Sequence, residues 1–337
     1  MDEKRAKALI VMVSSDGTLV DAPCVGLLKS AGCEVRYPAN LDFACGHKDP
    51  ELSIEELQGV SAVLAWGETY SASLINGLPD LPVIARVGVG FDRVDIGAAT
   101  ECGVVVTITP TANHEAVAEH TIALMLAFAK SLVLSDRKIR EGLWPGGSRT
   151  PIREKTLGIV GLGRIGRSTA VRARAMRMNV IATELYPDRD FVEQNGIELV
   201  DLDTLLARSD YLSVHCPLSD ETRGLFDRDK FARMKKGSVF INTARGGLVV
   251  EKDLIAALES GHLGGAGLDV FQSEPTEPNN PLFGMDNVVL SPHRAGDDEL
   301  AMENMGLEAA QNVIDLSQGK WPAAAVVNKE LEGRWDW

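Results

Sequence analysis

The chain has no long hydrophobic run. None of its 337 residues belongs to an apolar stretch near the roughly 20 residues of a membrane-spanning helix. Its first apolar stretch, Ala8 to Val13, is six residues long. That is too short for a signal-peptide core and reads as a first β-strand. Positive charge is also scarce: 34 Lys and Arg stand against 48 Asp and Glu, a formal charge of −14. A nucleic-acid binder rests on basic patches that face phosphates, so this balance argues against one. It argues equally against attraction to an anionic membrane surface and favours a soluble protein. An anionic substrate would need a local positive site set against that field. Paired cysteines are missing too. Cys24, Cys33, Cys45, Cys102 and Cys216 are odd in number and form no Cys-x-x-Cys. His215 and Cys216 are adjacent, but neighbours on a strand point to opposite faces, so they do not make a zinc site. The expectation is reduced thiols, no metal and a cytoplasmic location.

The apolar content of 45% and charged content of 24% are those of an ordinary globular protein, with enough apolar residues for real cores. The length allows one very large domain or two ordinary ones. Short β-branched runs alternate with helical patterns: ALIVMV, EVRY, VSAVLAW, PVIARVG and VVVTI in the first third, then TLGIVG, NVIATEL, DYLSVHC, SVFINTA, GAGLDVF and NVVLSPH. Strands separated by helices imply α/β architecture with parallel, doubly wound sheets. Between the two series, one long helix is expected from Asn113, as N-cap, to about Glu141. It has no Pro or Gly, and its centre, TIALMLAFAKSLVL, is apolar nearly all round. The Pro- and Gly-rich LWPGGSRTPIREK reads as a loop, and residues 298–316 as a last helix.

Residues 161–166 read GLGRIG, a Gly-x-Gly-x-x-Gly. The spacing alone is weak, but here it follows a strand directly and opens a helix. Gly161 permits the tight turn, Gly163 lets backbone N–H groups approach a pyrophosphate, and Gly166 lets the helix pack on the sheet. Glu184 ends the next strand, 18 positions beyond Gly166. A carboxylate there accepts from a ribose 2′-OH and repels a 2′-phosphate, which points to NAD over NADP.

Three polar residues follow apolar runs in the same half of the chain: Arg245 in NTARGG, Glu274 in GLDVFQSEP and His293 in SPHRAG. Open α/β sheets bind ligands at the carboxyl ends of their strands. Taken singly, each is more often a surface or loop residue. Together they fit one reaction. Arg245 can grip a carboxylate with both ends of its guanidinium and polarise an adjacent carbonyl. His293 can give a proton to the carbonyl oxygen or take it back, and Glu274 can orient the imidazole.

GLGRIG, HCPL (215–218), NTARGG (242–247), GLDVFQSEP (267–275) and SPHRAG (291–296), in this order, resemble the D-isomer-specific 2-hydroxyacid dehydrogenases. ARVGVGFDRVDIGAATECGVVVTITP and ANHEAVAEHTIALML extend the resemblance over nearly the whole chain, most closely to the phosphoglycerate-dehydrogenase-like branch. The resemblance implies a Rossmann NAD domain (109–297) inserted into a flavodoxin-like substrate domain (1–108 and 298–337), with the active site in the cleft between them. It also implies a homodimer built around the helix after Asn113. By carry-over, Arg245, Glu274 and His293 are catalytic. Val89, Arg164, Ile165, Glu184, Cys216, Thr243, Asp269 and His293 to Gly296 contact the cofactor, and backbone N–H groups of the Val87-Gly88-Val89-Gly90 loop receive the substrate carboxylate. Ending at Trp337, the chain is expected to lack the regulatory domain of some relatives.

The sequence departs from the phosphoglycerate enzymes where an Arg follows the third strand. Ala65 stands near that position, with Trp66 and Glu68 after it. The expectation is that Glu68 repels a phosphate, Trp66 offers an apolar or sugar-stacking face, and Arg86 is a second anion contact. Arg93 replaces an Asn common in the family. An NAD-dependent dehydrogenase of a small D-2-hydroxyacid is therefore expected, with phosphoglycerate not favoured. Two alternatives remain: an NAD-sensing co-regulator, and an enzyme of the same superfamily acting on phosphite. Formate enzymes carry Gln in place of Glu274. His47, His114, His120 and His262 receive no role. His114 and His120 are expected at an interface or the surface, and the C-terminal tryptophans are expected to pack on the substrate domain or a partner.

Overall fold

A computed structural model of the chain describes residues 9–14, 21–40, 43 and 49–337; Ala8, Cys45 and His47 lie outside the described residues. The chain divides into two compact units, Met1–Asn113 with Glu299–Trp337, and His114–Asp298.

The first unit is a five-stranded parallel sheet: β1 (Ile10–Val13), β2 (Glu34–Arg36), β3 (Ala62–Ala65), β4 (Val83–Arg86) and β5 (Val105–Thr107). Their order, β2-β1-β3-β4-β5, is the flavodoxin-like one. Strand periodicity sends Val11 and Val13 to one face and Met12 to the other. On the first face they join Leu64, Ala85 and the apolar side of helix Glu299–Ser317. On the second, Met12 joins Val63, Ile84 and Val106. Both faces are covered, which explains why these strands are apolar throughout instead of alternating. The helices α1 (Pro23–Ser30), α2 (Pro50–Leu57), α3 (Ala72–Asn76) and α4 (Ile96–Glu101) return the chain between strands. Asp49, Ser71 and Asp95 cap the last three by accepting from backbone N–H groups. The tail closes the edge of β5. Asn328 Oδ1 accepts from Val106 N (3.0 Å), and its Nδ2 donates to Val104 O (2.8 Å). Trp335 Nε1 donates to Gly103 O (2.9 Å), and Trp321 and Trp335 pack on the same core.

The second unit is a seven-stranded parallel sheet: β6 (Thr156–Val160), β7 (Asn179–Thr183), β8 (Glu198–Leu199), β9 (Tyr211–Val214), β10 (Val239–Asn242), β11 (Gly265–Leu268) and β12 (Val288–Leu290). The order β12-β11-β10-β9-β6-β7-β8 reverses at β6, the Rossmann arrangement that binds a ligand at the reversal. Its helices are α5 (His114–Ala129), α6 (Leu132–Arg140), α7 (Arg164–Ala175), α8 (Arg189–Gln194), α9 (Leu202–Arg208), α10 (Arg228–Arg233) and α11 (Glu251–Glu259); Glu299–Ser317, in the first unit, is α12. The single long helix expected from Asn113 is broken. α5 and α6 meet at 58°, with Ser131 between them in the left-handed region at φ 48. The break follows burial: α5 buries Ile122, Leu124 and Met125, whereas α6 buries no residue. Asn113 does not cap α5 through its side chain either, since its buried Oδ1 has no partner. No single helix among the described residues is long and apolar enough to cross a membrane.

Candidate active site

The glycine loop sits between β6 and α7. Gly161 has φ +95, and a Cβ there would lie 2.8 Å from Cys216 N. A Cβ on Gly166 would come within 2.1 Å of Gly161 O, so this helix turn packs directly on the loop. Gly163 is different: a Cβ there would meet nothing within 4 Å, and as N-cap it offers no side chain to the first N–H groups of α7. Those N–H groups therefore lack a side-chain cap at the positive end of the helix dipole, an arrangement suited to a phosphate. Arg164 is exposed and Ile165 half-buried on the first turn. Glu184 is tied back to the same loop, with Oε2 accepting from Leu162 N (2.7 Å) and Oε1 from Tyr186 N (3.0 Å). A carboxylate has about four lone-pair positions, so acceptor capacity remains for ribose hydroxyls. These residues fit a dinucleotide. Arg167, to which the sequence reading gave no role, braces the loop: its Nε donates to Leu162 O (3.0 Å) and its Nη1 to Asp188 (2.8 Å). Cys216 follows β9, and burial pushes its thiol up to about 11.

The three polar strand ends leave one sheet edge in step. Asn242 is opposite Leu268, and Leu268 opposite Leu290, so the ends of β10 and β12 stand about 10 Å apart. Asn242 shapes the Arg245 turn, accepting from Ala244 N (3.0 Å) and donating to Arg245 O (2.9 Å). Gly246 packs this turn on the next one, since a Cβ there would lie 1.8 Å from Phe271 O. Glu274 accepts from Phe271 N (3.0 Å) with Oε1, while Oε2 lies 2.7 Å from His293 Nδ1. His293 has φ 56, a conformation a non-glycine residue adopts only where its surroundings hold it. What holds it is Asp269. The Asp269 carbonyl accepts from His293 N (2.7 Å). Its fully buried carboxylate accepts from Ser291 Oγ (2.6 Å), Arg294 N (3.0 Å) and Ala295 N (2.8 Å). Thr243 turns its hydroxyl to Thr121 Oγ1 (3.0 Å), and Gly296 is half-buried at the end of the His293 turn.

The first unit carries the loop after β4. Val87 N donates to Ala65 O (2.8 Å) and Gly88 N to Thr109 Oγ1 (2.9 Å). The donors of that loop without a partner among the described residues are therefore Val89 and Gly90. Arg86 is buried, and its Nε donates to Gly90 O (3.2 Å). Glu68 is 1% exposed. It accepts from Trp66 N (2.9 Å) and Tyr70 Oη (3.0 Å). Burial pushes the pKa of its carboxyl up, and the Arg86 charge opposes that rise. Glu68 therefore does not face outward to repel a phosphate, as the sequence suggested; it is an internal counter-charge for Arg86. Trp66 is half-buried against the core of this unit.

Residues 122–295 match the sequence model of the D-isomer specific 2-hydroxyacid dehydrogenase NAD binding domain. The chain belongs to the D-isomer specific 2-hydroxyacid dehydrogenases. It is 41% identical over 269 residues to D-3-phosphoglycerate dehydrogenase of Archaeoglobus fulgidus, covering 79% of this chain and 51% of that one. The chain thus spans about half the length of such relatives. With glyoxylate reductase of Thermofilum pendens it shares 38% over 321 residues, 93% of each chain. The structure of Aquifex aeolicus D-lactate dehydrogenase complexed with NAD and lactic acid superposes with a TM-score of 0.82 at 26% identity, over 95% of this chain and 99% of that one. The chain therefore carries an NAD-binding domain of this family, and both of its units are built on parallel α/β sheets.

Proposed function

We propose that the chain is an NAD-dependent oxidoreductase that interconverts a small, unphosphorylated D-2-hydroxyacid and its 2-keto acid. The observation that carries this reading is the 2.7 Å contact of His293 Nδ1 with Glu274 Oε2, on the sheet edge that also bears Arg245. The nicotinamide cofactor, when bound, supplies or accepts the hydride. The protein's share is proton handling and anion binding. Glu274 stabilises the protonated imidazole and fixes its plane, so that Nε2 of His293 gives its proton to the carbonyl oxygen in reduction and recovers it in oxidation. Arg245 holds the substrate carboxylate and polarises the neighbouring carbonyl. In the other unit, Val89 and Gly90 N–H are the donors left for an anion. Glu184 selects NAD by accepting from the ribose and repelling a 2′-phosphate.

Unphosphorylated substrates are supported by Ala65 near the family's Arg position, by the hydrogen bond of Arg86 Nε to Gly90 O and by the charge of Glu68 beside Arg86. A homodimer is supported by the face of α6 and the loop beyond it, where Leu132, Val133, Ile139, Leu143 and Trp144 are all exposed. Isolated monomers rarely leave such a patch open. The test is NADH oxidation against glyoxylate, hydroxypyruvate, pyruvate and sugar-acid keto forms, with 3-phosphoglycerate oxidation alongside. Turnover of one keto acid is expected. Tight NADH binding with no turnover would favour a co-regulator, and phosphoglycerate turnover well above the others would remove the unphosphorylated assignment.

A further inference from the structure

Two consecutive residues of α5 reach the ends of two different active-site strands. Thr121 Oγ1 donates to Val117 O (2.8 Å). Its single proton is thereby used, so at the 3.0 Å contact Thr243 Oγ1 donates to Thr121. Thr243 lies two residues before Arg245. His120 Nε2 lies 2.8 Å from Ser291 Oγ, and Ser291 lies two residues before His293. Ser291 donates its proton to Asp269 Oδ1 at 2.6 Å. A serine hydroxyl has one proton, so toward His120 it can only accept. The direct separation of His120 Nε2 from Asp269 Oδ1, 3.7 Å, is too long for a hydrogen bond. The chain therefore has one direction: His120 Nε2–H to Ser291 Oγ, and Ser291 Oγ–H to Asp269. It also fixes the tautomer, with the proton of neutral His120 on Nε2.

Asp269 is the hub of the His293 turn. Its buried carboxylate holds Arg294 N and Ala295 N, and its carbonyl holds His293 N. The geometry points to His120 as a positioning residue for the proton-transferring histidine, acting through Ser291 and Asp269. This inference rests on the role given to His293 above. His120 touches no reacting atom; it orients the Ser291 hydroxyl so that its proton points at Asp269. Without that donor the hydroxyl can turn to other acceptors, and the buried Asp269 carboxylate loses one of its three donors, the one that comes from a side chain, in a site where an unmet acceptor is costly. The turn that keeps His293 in its left-handed conformation then loosens. Thr121 does the same for the Arg245 turn from the next residue of the helix, so α5 sets the two turns relative to each other.

The test compares His120→Leu, which fills the space without a donor, with His120→Gln, whose amide nitrogen can occupy the place of Nε2. The side chain of His120 is 28% exposed, so neither change opens a cavity in the core. Amide hydrogen exchange at Arg294 and Ala295 is measured by NMR, together with kcat, KM and NADH affinity on the best keto acid. In His120→Leu, exchange at both amides should accelerate and kcat should fall about tenfold, which corresponds to ~1.4 kcal/mol. KM and NADH affinity should stay within about twofold, since only the acid is displaced. His120→Gln should restore both exchange and kcat. Because the links act in series, His120→Leu/Ser291→Ala should be no slower than Ser291→Ala alone. Unchanged exchange at Arg294 and Ala295 in His120→Leu would overturn the inference, as would failure of Gln to restore what Leu removes. If the native protein reduces no keto acid, the dehydrogenase reading fails separately, and the exchange rates still decide the relay.

Discussion

Glu274→Gln tests the proposed chemistry most sharply, because the structure leaves the amide no good orientation. Glu274 faces two donors, Phe271 N–H on Oε1 and His293 Nδ1 on Oε2. A carboxylate accepts from both. A glutamine has one oxygen, so its NH2 must face one of them. If it faces Phe271, the turn loses a hydrogen bond and gains a clash of donors. If it faces His293, the ring must present a bare Nδ1 and cannot hold a second proton without breaking the contact. The lost charge adds to this. At about 4 Å between charge centres and an effective dielectric near 20, a carboxylate stabilises an imidazolium by about 4 kcal/mol. The side chains of His293 and Glu274 are 44% and 23% exposed, so solvent screening leaves about half of that, ~2 kcal/mol. The donor mismatch costs about 1–2 kcal/mol more. Together these give roughly 10²–10³ in kcat. The assay is NADH oxidation at saturating keto acid, with NADH affinity measured by fluorescence as a control that should hold within about twofold. A Gln variant within about fivefold of the native kcat would refute the reasoning, because neither charge nor donor matching at Nδ1 would then matter.

Other outcomes follow from the same contacts. His293→Ala should lower kcat by about three orders of magnitude or more with NADH binding nearly unchanged; near-native turnover would remove His293 from the mechanism. Glu184→Ser should narrow the preference for NAD over NADP by about tenfold or more, and should also weaken NAD binding, since Leu162 N loses its acceptor. Equal NAD and NADP efficiencies in the native protein would dismiss the role of Glu184. His215 is held by burial at about 4, below its ordinary 6.5, and its Nδ1 has no partner. Between these values the unfolded chain binds a proton that the folded one does not. His215 therefore makes the fold about 3 kcal/mol less stable at pH 4 than above pH 6.5. Urea midpoints measured from pH 4.5 to 7.5 should slope with pH in the native protein and flatten in His215→Asn. Glu68→Leu should destabilise the first unit by about 3–5 kcal/mol by leaving Arg86 buried without its counter-charge, and Glu68→Leu/Arg86→Met should recover most of that loss. Equal urea stability of the native and single-variant proteins would contradict the buried pairing.

The parts of this molecule that were legible in the sequence are those set by local pattern. Apolar strand runs bounded by turns gave both parallel sheets, because each is buried on two faces and reads as a continuous run. The turn at Gly161 was legible because its three glycines answer three separate steric demands within six residues. His293 and Glu274 became legible through their placement after strands. What escaped depends on partners distant in sequence. The break at Ser131 comes from where burial stops, and LVLS looks as apolar as the segment before it. α2 was missed although Asp49-Pro50 is a helix-start signal, because no strong periodicity follows. The inward turn of Glu68 depends on Arg86, 18 positions later, and the use of Gly88 N–H on Thr109, 21 positions later. His120 looked like an interface residue because Ser291, its acceptor, is 171 positions away.

The buried pair of the first unit bears directly on substrate choice. A phosphorylated acid brings two anionic groups, and in a chain of net charge −14 each needs local cationic or N–H donors. The sheet end after β3 and β4 holds two arginines; both donate to backbone carbonyls, while Arg86 Nη1 is buried without a hydrogen-bond partner. Arg86 donates to Gly90 O and faces Glu68, and Arg93 donates to Gly67 O. Through Nε, Arg86 braces the loop, and the charge of Glu68 acts on the same guanidinium. Releasing Arg86 to meet a phosphate would strand Glu68 in a site where a lone charge costs several kcal/mol. The neutral donors Val89 N–H and Gly90 N–H are enough for one carboxylate, while a second anionic group would compete with the charge of Glu68 for Arg86. The charge of Glu68 beside Arg86 is thus the physical ground for the proposed preference for a small unphosphorylated acid, and the 3-phosphoglycerate assay decides it.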